Sequence, residues 1–215
     1  MNCGRPRRKT CAFTLVEVVL ILFCLCILAV TLLAAVNAPR FRRDVGCANQ
    51  LKQMGLAMRL WEGDHGDKYP MNFGATNDPA RAAAPGYAES IFQAMGGRAG
   101  NPRILVCPAD RHHHPAHNFN LPLTSSNLSY FVNPDAQESD PQDFLFGDDN
   151  FEIRGVRVKS GLQAISNQPI AWSPDRHGFR GNFACADGSV SSLNNVFLAR
   201  AFPPTNTVTL RLAIP

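Results

Sequence analysis

From Phe13 to Val36 the chain reads FTLVEVVLILFCLCILAVTLLAAV, and only Thr14, Glu17 and Thr31 interrupt the apolar run. Residues 18–36 carry no charge at all. About 20 helical residues at 1.5 Å each cross a hydrocarbon core of about 30 Å. A run that is apolar on every face predicts a membrane-spanning helix rather than an amphipathic surface helix. Asn37-Ala38-Pro39 then predicts a stop or kink, because proline disfavours the α region in the residue before it. Residues 40–61 change pattern: apolar residues stand at 41, 45, 48, 51, 55 and 58. Spacings of three and four predict an amphipathic helix, ended by Gly63 and the GDHGDKYP stretch. Beyond residue 63 the period shortens. Runs at 103–107, 128–132, 143–146, 168–172, 182–186 and 189–193 predict β-strands, and 86–96 a short helix. Glycine and proline are dense between them. The expected class is α+β, with a long N-terminal helix on a small antiparallel sheet joined by long loops.

Charge changes this picture in one place. The 215 residues have a formal net charge of +4, with 45% hydrophobic and 18% charged residues. That composition excludes intrinsic disorder, which combines few apolar residues with high net charge. Arg5, Arg7, Arg8 and Lys9 sit in residues 1–12 without an acid among them, and the remainder balances seventeen bases against seventeen acids. The positive excess is a property of the N-terminus, and no nucleic-acid partner is expected.

Three readings fit the N-terminal segment. A secretory signal peptide has a basic start but an apolar stretch of only about 7–15 residues; Val36-Asn37-Ala38 is its candidate cleavage site. A plain signal anchor fits the length, although Arg40, Arg42 and Arg43 flank the far end and weaken the charge asymmetry. The third reading accounts for Glu17, since a carboxylate in a membrane helix costs about 2.5–3.5 kcal/mol. Ala12-Phe13-Thr14-Leu15-Val16-Glu17 resembles the processing site of type IV prepilins and type II secretion pseudopilins. That resemblance implies cleavage between Ala12 and Phe13, N-methylation of Phe13, and an assembly role for the Glu17 carboxylate. The family prefers Gly where this chain has Ala12. Phe13 and Glu17 are four apart, hence on one helix face. The new α-amine, with a pKa of about 7.7–8.0, can neutralise Glu17 of a neighbouring subunit.

Two further stretches carry the resemblance. Cys47-Ala48-Asn49-Gln50-Leu51-Lys52-Gln53-Met54-Gly55-Leu56-Ala57 is similar to the C-x-N-x-L-K-Q-x-G-L-A stretch of a group of bacterial pilin-like proteins. His177, followed by nine residues and then Asp187-Gly188, resembles the H-x9-D-G signature of prepilin-type processing-associated proteins. Together they imply a pilin-like fold with four parts: a basic leader at 1–12, the transmembrane half of one helix at 13–36, its amphipathic half at 37–62, and a periplasmic loop-rich β domain at 63–215. They imply a single-pass protein of the bacterial inner membrane with a cytoplasmic N-terminus. Its expected partners are a prepilin peptidase/methyltransferase, other pilin-like subunits through the first helix, an inner-membrane assembly platform and the lipid bilayer. The expected function is a structural subunit of a type II secretion or type IV pilus-like system, not an enzyme. The alternative is a membrane-anchored periplasmic binding protein or enzyme that does not assemble.

The remaining chemistry reads as structural. Asp187-Gly188 predicts a two-residue type I′ hairpin, with Cys185 facing Val190 and Phe183 facing Ser192. A catalytic His177–Asp187 pair is the competing reading, but an extended 182–187 strand spans about 16 Å, so His177 is expected to brace the Gly-rich loop before it. Cys3 and Cys11 leave with the leader, and Cys24 and Cys26 lie in the membrane run. Of Cys47, Cys107 and Cys185, the first two can form a disulfide in an oxidising periplasm, worth about 2–4 kcal/mol, with Cys185 a buried thiol. Asp64 and Asp67 fall short of the 6–8 oxygens that calcium takes. His112, His113, His114 and His117 read as a solvated loop. No metal site, catalytic residue or cofactor is expected, and no G-x-S-x-G, P-loop, H-E-x-x-H or G-x-G-x-x-G occurs.

Overall fold

A computed structural model of the chain describes residues 14–73, 84–166, 168–201 and 209–215. The candidate cleavage site at Ala12 and Phe13, with the basic leader, lies outside the described residues. The chain divides into two units, 1–41 and 42–215.

Helix α1 (Leu15–Gly63) contributes to both units. Its segment Leu15–Leu33 has a mean hydropathy of 3.0 and is exposed along its whole length. Length and composition make it a candidate membrane anchor. Thr14 caps it: the Thr14 hydroxyl accepts from Glu17 N–H at 3.3 Å, while Thr14 N–H and Oγ1–H both donate to Glu17 Oε2 at 3.1 Å. This reciprocal capping box satisfies backbone donors that the first helical turn leaves orphaned. The expected stop at Asn37-Ala38-Pro39 does not occur, as helical backbone continues through it.

In the second unit, α1 turns Cys47, Leu51, Met54, Ala57 and Met58 into the core. The buried stripe is rotated from the one expected: Cys47 and Met54 lie inside, whereas Val45 is 41% exposed. Leu51 and Met58 stay buried as anticipated. Helices α2 (Tyr87–Ala94) and α3 (Gly96–Ala99) follow, the first close to expectation. Residues 103–107 do not form a strand. Pro102–Leu105 is a 3₁₀ turn, because Pro102 opens it and the Asn101 side chain accepts from Arg103 N–H at 2.9 Å.

Among the described residues nine strands follow: β1 (Tyr130–Val132), β2 (Phe144–Asp148), β3 (Phe151–Ile153), β4 (Val156–Arg157), β5 (Gly161–Ile165), β6 (Ile170–Trp172), β7 (Arg180–Cys185), β8 (Val190–Asn194) and β9 (Leu210–Ile214), with α4 (Asn195–Ala201) between the last two. All pairings are antiparallel. The large sheet runs β5-β9-β1-β2-β7-β8 and the small one β4-β3-β6. The fold is therefore α+β, with one long apolar N-terminal helix and antiparallel sheets.

The central strands of the large sheet are buried on both faces, and strand alternation divides their residues between two cores. Tyr130, Val132, Phe146 and Ala213 join Leu51, Met58, Ile91 and Phe92 in the core beneath α1. Phe131, Leu212 and Ile214 point the other way, to Phe151, Ile170 and Trp172 of the small sheet. Gly181 is required where the sheets meet, since a Cβ there would enter the Trp172 ring.

The β7–β8 turn differs from the expected type I′. Cys185 C=O accepts from Gly188 N–H and Cys185 N–H donates to Ser189 C=O, both at 2.9 Å, and only Gly188 has a positive φ of 81°. This is a three-residue loop with a glycine bulge. The register moves by one accordingly, so Ala184 faces Val190 and Phe183 faces Ser191. Asp187 Oδ1 accepts from Ser189 N–H at 2.7 Å, which is the turn-building role expected of it. Arg59 of α1 secures the hairpin by donating to Ala186 C=O at 2.9 Å.

Candidate functional site

The second unit brings together four residues distant in sequence. Cys47 faces inward from α1, one turn before Leu51. Cys107 follows the 3₁₀ turn that places it beneath the helix. Asp148 ends β2, opposite Tyr130 of β1. His177 lies in the loop between β6 and β7, where Gly178 and Phe179 take consecutive positive φ values of 60° and 63°. One donor atom from each, Cys47 Sγ, Cys107 Sγ, an Asp148 carboxylate oxygen and a His177 ring nitrogen, lies within 4.8 Å of the others, and all four residues are buried.

The contacts among them are short. Cys107 Sγ is 3.2 Å from His177 Nε2. Cys47 Sγ donates to Asp148 Oδ1 at 3.3 Å, and His177 Nε2 is 3.6 Å from Asp148 Oδ2. A surrounding layer fixes each group. Asp44 Oδ1, a turn before Cys47 on α1, is 2.7 Å from His177 Nδ1. Asn182 gives Asp148 Oδ2 its backbone N–H at 2.8 Å and its side-chain amide at 2.9 Å. Tyr130 Oη lies 3.4 Å from Cys47 Sγ and donates to Gln50 Oε1 at 2.9 Å. Ala109 N–H points at Cys107 Sγ from 3.4 Å.

These neighbours drive the protonation states apart. The hydrogen bond to Cys107, burial and the Asp148 charge raise the Cys47 thiol well above its usual range. Cys107 goes the other way, to about 7, because hydrogen bonds from Cys47 and His177 stabilise its thiolate against the opposing effect of burial. Burial alone would lower His177; the hydrogen bond to Cys107 and the charges of Asp148 and Cys107 outweigh it and raise the imidazole to about 9.

Arg176 builds a second polar layer beside the first. Its side chain is 2% exposed. Its Nη2 lies 2.6 Å from Asp110 Oδ2 and also pairs with Asp149; its Nη1 donates to Ser129 C=O at 2.7 Å and lies 3.9 Å from Asp148 Oδ1. His113 Nδ1 and Ser129 Oγ, both 2.7 Å away, complete the shell of Asp110. Burial opposes ionisation of Asp110, yet His113 and Arg176 hold its carboxyl well below the usual range.

The sequence-predicted residues divide clearly. Cys47 and Cys107 are adjacent, as a disulfide would require, but both are free thiols, and they share their site with Asp148 and His177. Cys185 is a free buried thiol in β7. His177 does more than brace its loop: it bridges α1 through Asp44 to Cys107, and it is not directed to Asp187. His112, His114 and His117 are exposed, and Asp64 pairs with Arg98 at 2.5 Å. Asp44, Asp110, Asp148, Asp149 and Arg176 are site residues that the sequence pattern does not single out. The available signal was the acidic Asp148-Asp149 pair closing an apolar run, beside an Arg176-His177 dipeptide. The expectation of no metal site meets a buried Cys/Cys/Asp/His constellation whose atom types suit a soft or borderline divalent cation. The Cys107–His177–Asp44 line also has the order of a nucleophile, base and orienting carboxylate. Cys107 is only 1% exposed, which leaves its sulfur no open approach for a substrate. No protein-family model, curated protein or solved structure matches the chain.

Proposed function

We propose that the chain is a pilin-like or pseudopilin structural subunit. A prepilin peptidase cuts it between Ala12 and Phe13, Phe13 is methylated, and the subunit is held in or displayed from the inner membrane of a type II secretion or type IV pilus-like system. The observation that carries this reading is that α1 joins a wholly exposed apolar stretch, Leu15–Leu33, to a second half that supplies the core of the following unit. Such a helix can bundle with copies of itself at one end while fixing the domain at the other. Glu17 is the sole charge in the apolar stretch. A free amine on a neighbouring Phe13 would offset most of its burial penalty.

Glu17 also has a local partner in Thr14, so its substitution needs two forms. Glu17→Gln keeps a side chain able to close the capping box but removes the charge, whereas Glu17→Ala removes both. Mass spectrometry of the full-length protein from its native membrane is expected to give an N-terminus at methylated Phe13, with membrane insertion intact but assembly lost in both variants. An intact Met1 would refute processing. Assembly surviving in Glu17→Gln would refute the charge role, whereas a parent that is inserted in the membrane but never assembles would favour the membrane-anchored periplasmic binding protein or enzyme.

A further inference from the structure

We propose that Cys47, Cys107, Asp148 and His177 are the four ligands of a closed tetrahedral site for one divalent thiophilic cation, zinc(II) by the chemistry of the donors. The reading of the chain as a pilin-like subunit neither requires nor supplies this site. Tetrahedral zinc takes bonds of about 2.0–2.3 Å, which set ligand-to-ligand edges of about 3.3–3.8 Å. Cys107 Sγ–His177 Nε2 at 3.2 Å, Cys47 Sγ–Asp148 Oδ1 at 3.3 Å and His177 Nε2–Asp148 Oδ2 at 3.6 Å are close to that spacing, and with all four donors within 4.8 Å of one another a small inward adjustment closes the site.

The surrounding groups match what such a centre needs. Asp44 accepts the Nδ1 proton of His177, which leaves Nε2 as the ligating nitrogen; a carboxylate behind a ligating histidine fixes both tautomer and ring orientation. Ala109 N–H and Tyr130 Oη face the two sulfurs, and Asn182 holds the Asp148 carboxylate. Two thiolates, one carboxylate and a neutral imidazole around a dication leave one negative charge. Arg176, with Nη1 3.9 Å from Asp148 Oδ1, is placed to offset it. Binding displaces the Cys47 proton and the one shared by Cys107 and His177 into solvent, so affinity rises with pH. Sulfur donors select against calcium and magnesium, which take oxygen. A disulfide would use the two sulfurs but give no role to the converging imidazole and carboxylate. The centre would tie α1, the segment after the 3₁₀ turn, β2 and the loop before β7 at one point, a structural rather than catalytic use of the metal.

The test uses untagged full-length protein, extracted in detergent under reducing conditions. Elemental analysis is expected to find stoichiometric zinc. Exchange into cobalt(II) is expected to give tetrahedral ligand-field bands together with thiolate-to-cobalt charge transfer. Cys107→Ser and His177→Gln should lose both the metal and the charge-transfer band, whereas a His112→Ala/His114→Ala variant should keep them. Because buried variants can fail to fold, the parent protein decides. A parent that retains no zinc and gives no thiolate–cobalt band overturns the site. A Cys47–Cys107 disulfide in protein taken from its native membrane under thiol-blocking conditions overturns it equally. Neither result bears on the N-terminal processing test.

Discussion

Arg176→Met removes the guanidinium shared by three buried carboxylates. Asp110 and Asp148 have no exposed side-chain surface, and Asp149 has only 10%. Methionine fills most of the volume but leaves these acids to one another, to His113 beside Asp110 and to His177 beside Asp148. Breaking a buried ion pair by removing one partner costs about 3–5 kcal/mol, a large part of the roughly 5–15 kcal/mol that holds a domain folded. The pH dependence separates this electrostatic loss from simple loss of packing. In the parent, Asp110 is held below its unfolded value, so its contribution is present at neutral pH and is lost as pH falls through the carboxylate range. Burial raises Asp149 to about 6 even with Arg176 lowering it, and without Arg176 it moves higher still. The variant therefore recovers part of its deficit by protonating Asp149 as pH falls. Urea unfolding of both full-length chains in detergent micelles, followed by fluorescence of the two tryptophans, is expected to give a deficit of at least about 3 kcal/mol at pH 7.5. It should shrink by about 1 kcal/mol or more near pH 5. A deficit below about 1 kcal/mol, or one flat across that range, refutes the charge argument.

The three tyrosines are all buried; burial pushes Tyr69 and Tyr87 up to about 12 and Tyr130 well above its ordinary value. Their folded pKa values exceed the unfolded ones, so this stability is whole below about pH 10 and is lost as pH rises through 12. A spectrophotometric titration should show tyrosinate appearing only with unfolding, and a reversible step near pH 10 would contradict the packing. Gly181→Ala drives a methyl group into the Trp172 ring and should cost about 1–3 kcal/mol with a changed tryptophan spectrum, whereas Gly97→Ala meets open space and should stay within about 0.5 kcal/mol. Arg157→Ala breaks only the half-exposed pair with Asp175 and should change stability by no more than about 1 kcal/mol in the same assay.

What the sequence disclosed depended on whether the governing interaction was local. The apolar run into α1, helix α2 and strands β1, β2, β6, β7 and β8 follow from patterns within a few residues. The 3₁₀ turn at Pro102–Leu105 defeated an apolar run because proline and an asparagine cap decided that backbone. Strand β9 carries no clean alternation, since Leu212 and Ala213 feed opposite cores that both exclude water. Its partners β1 and β5 lie far back in the chain.

The four-residue cluster was illegible for a related reason. Its members come from α1, the segment after a turn, a strand end and a loop, so no ligand spacing can be read along the chain. His177 was visible, and its nine-residue separation from Asp187-Gly188 read as a loop brace before a turn, with a reacting pair as the competing reading. The fold gives that spacing a different origin. Strand β7, six residues or about 20 Å long, lies between the two motifs. Its entry carries His177 to Asp44 and Cys107, and its exit carries Asp187 into the turn that Arg59 fastens to the same helix. Asp44 and Arg59 are fifteen positions apart on α1, about 22 Å of helix, which matches the length of the strand. The spacing thus measures a strand attached to α1 at both ends, and His177 and Asp187 are its two anchors rather than a reacting pair.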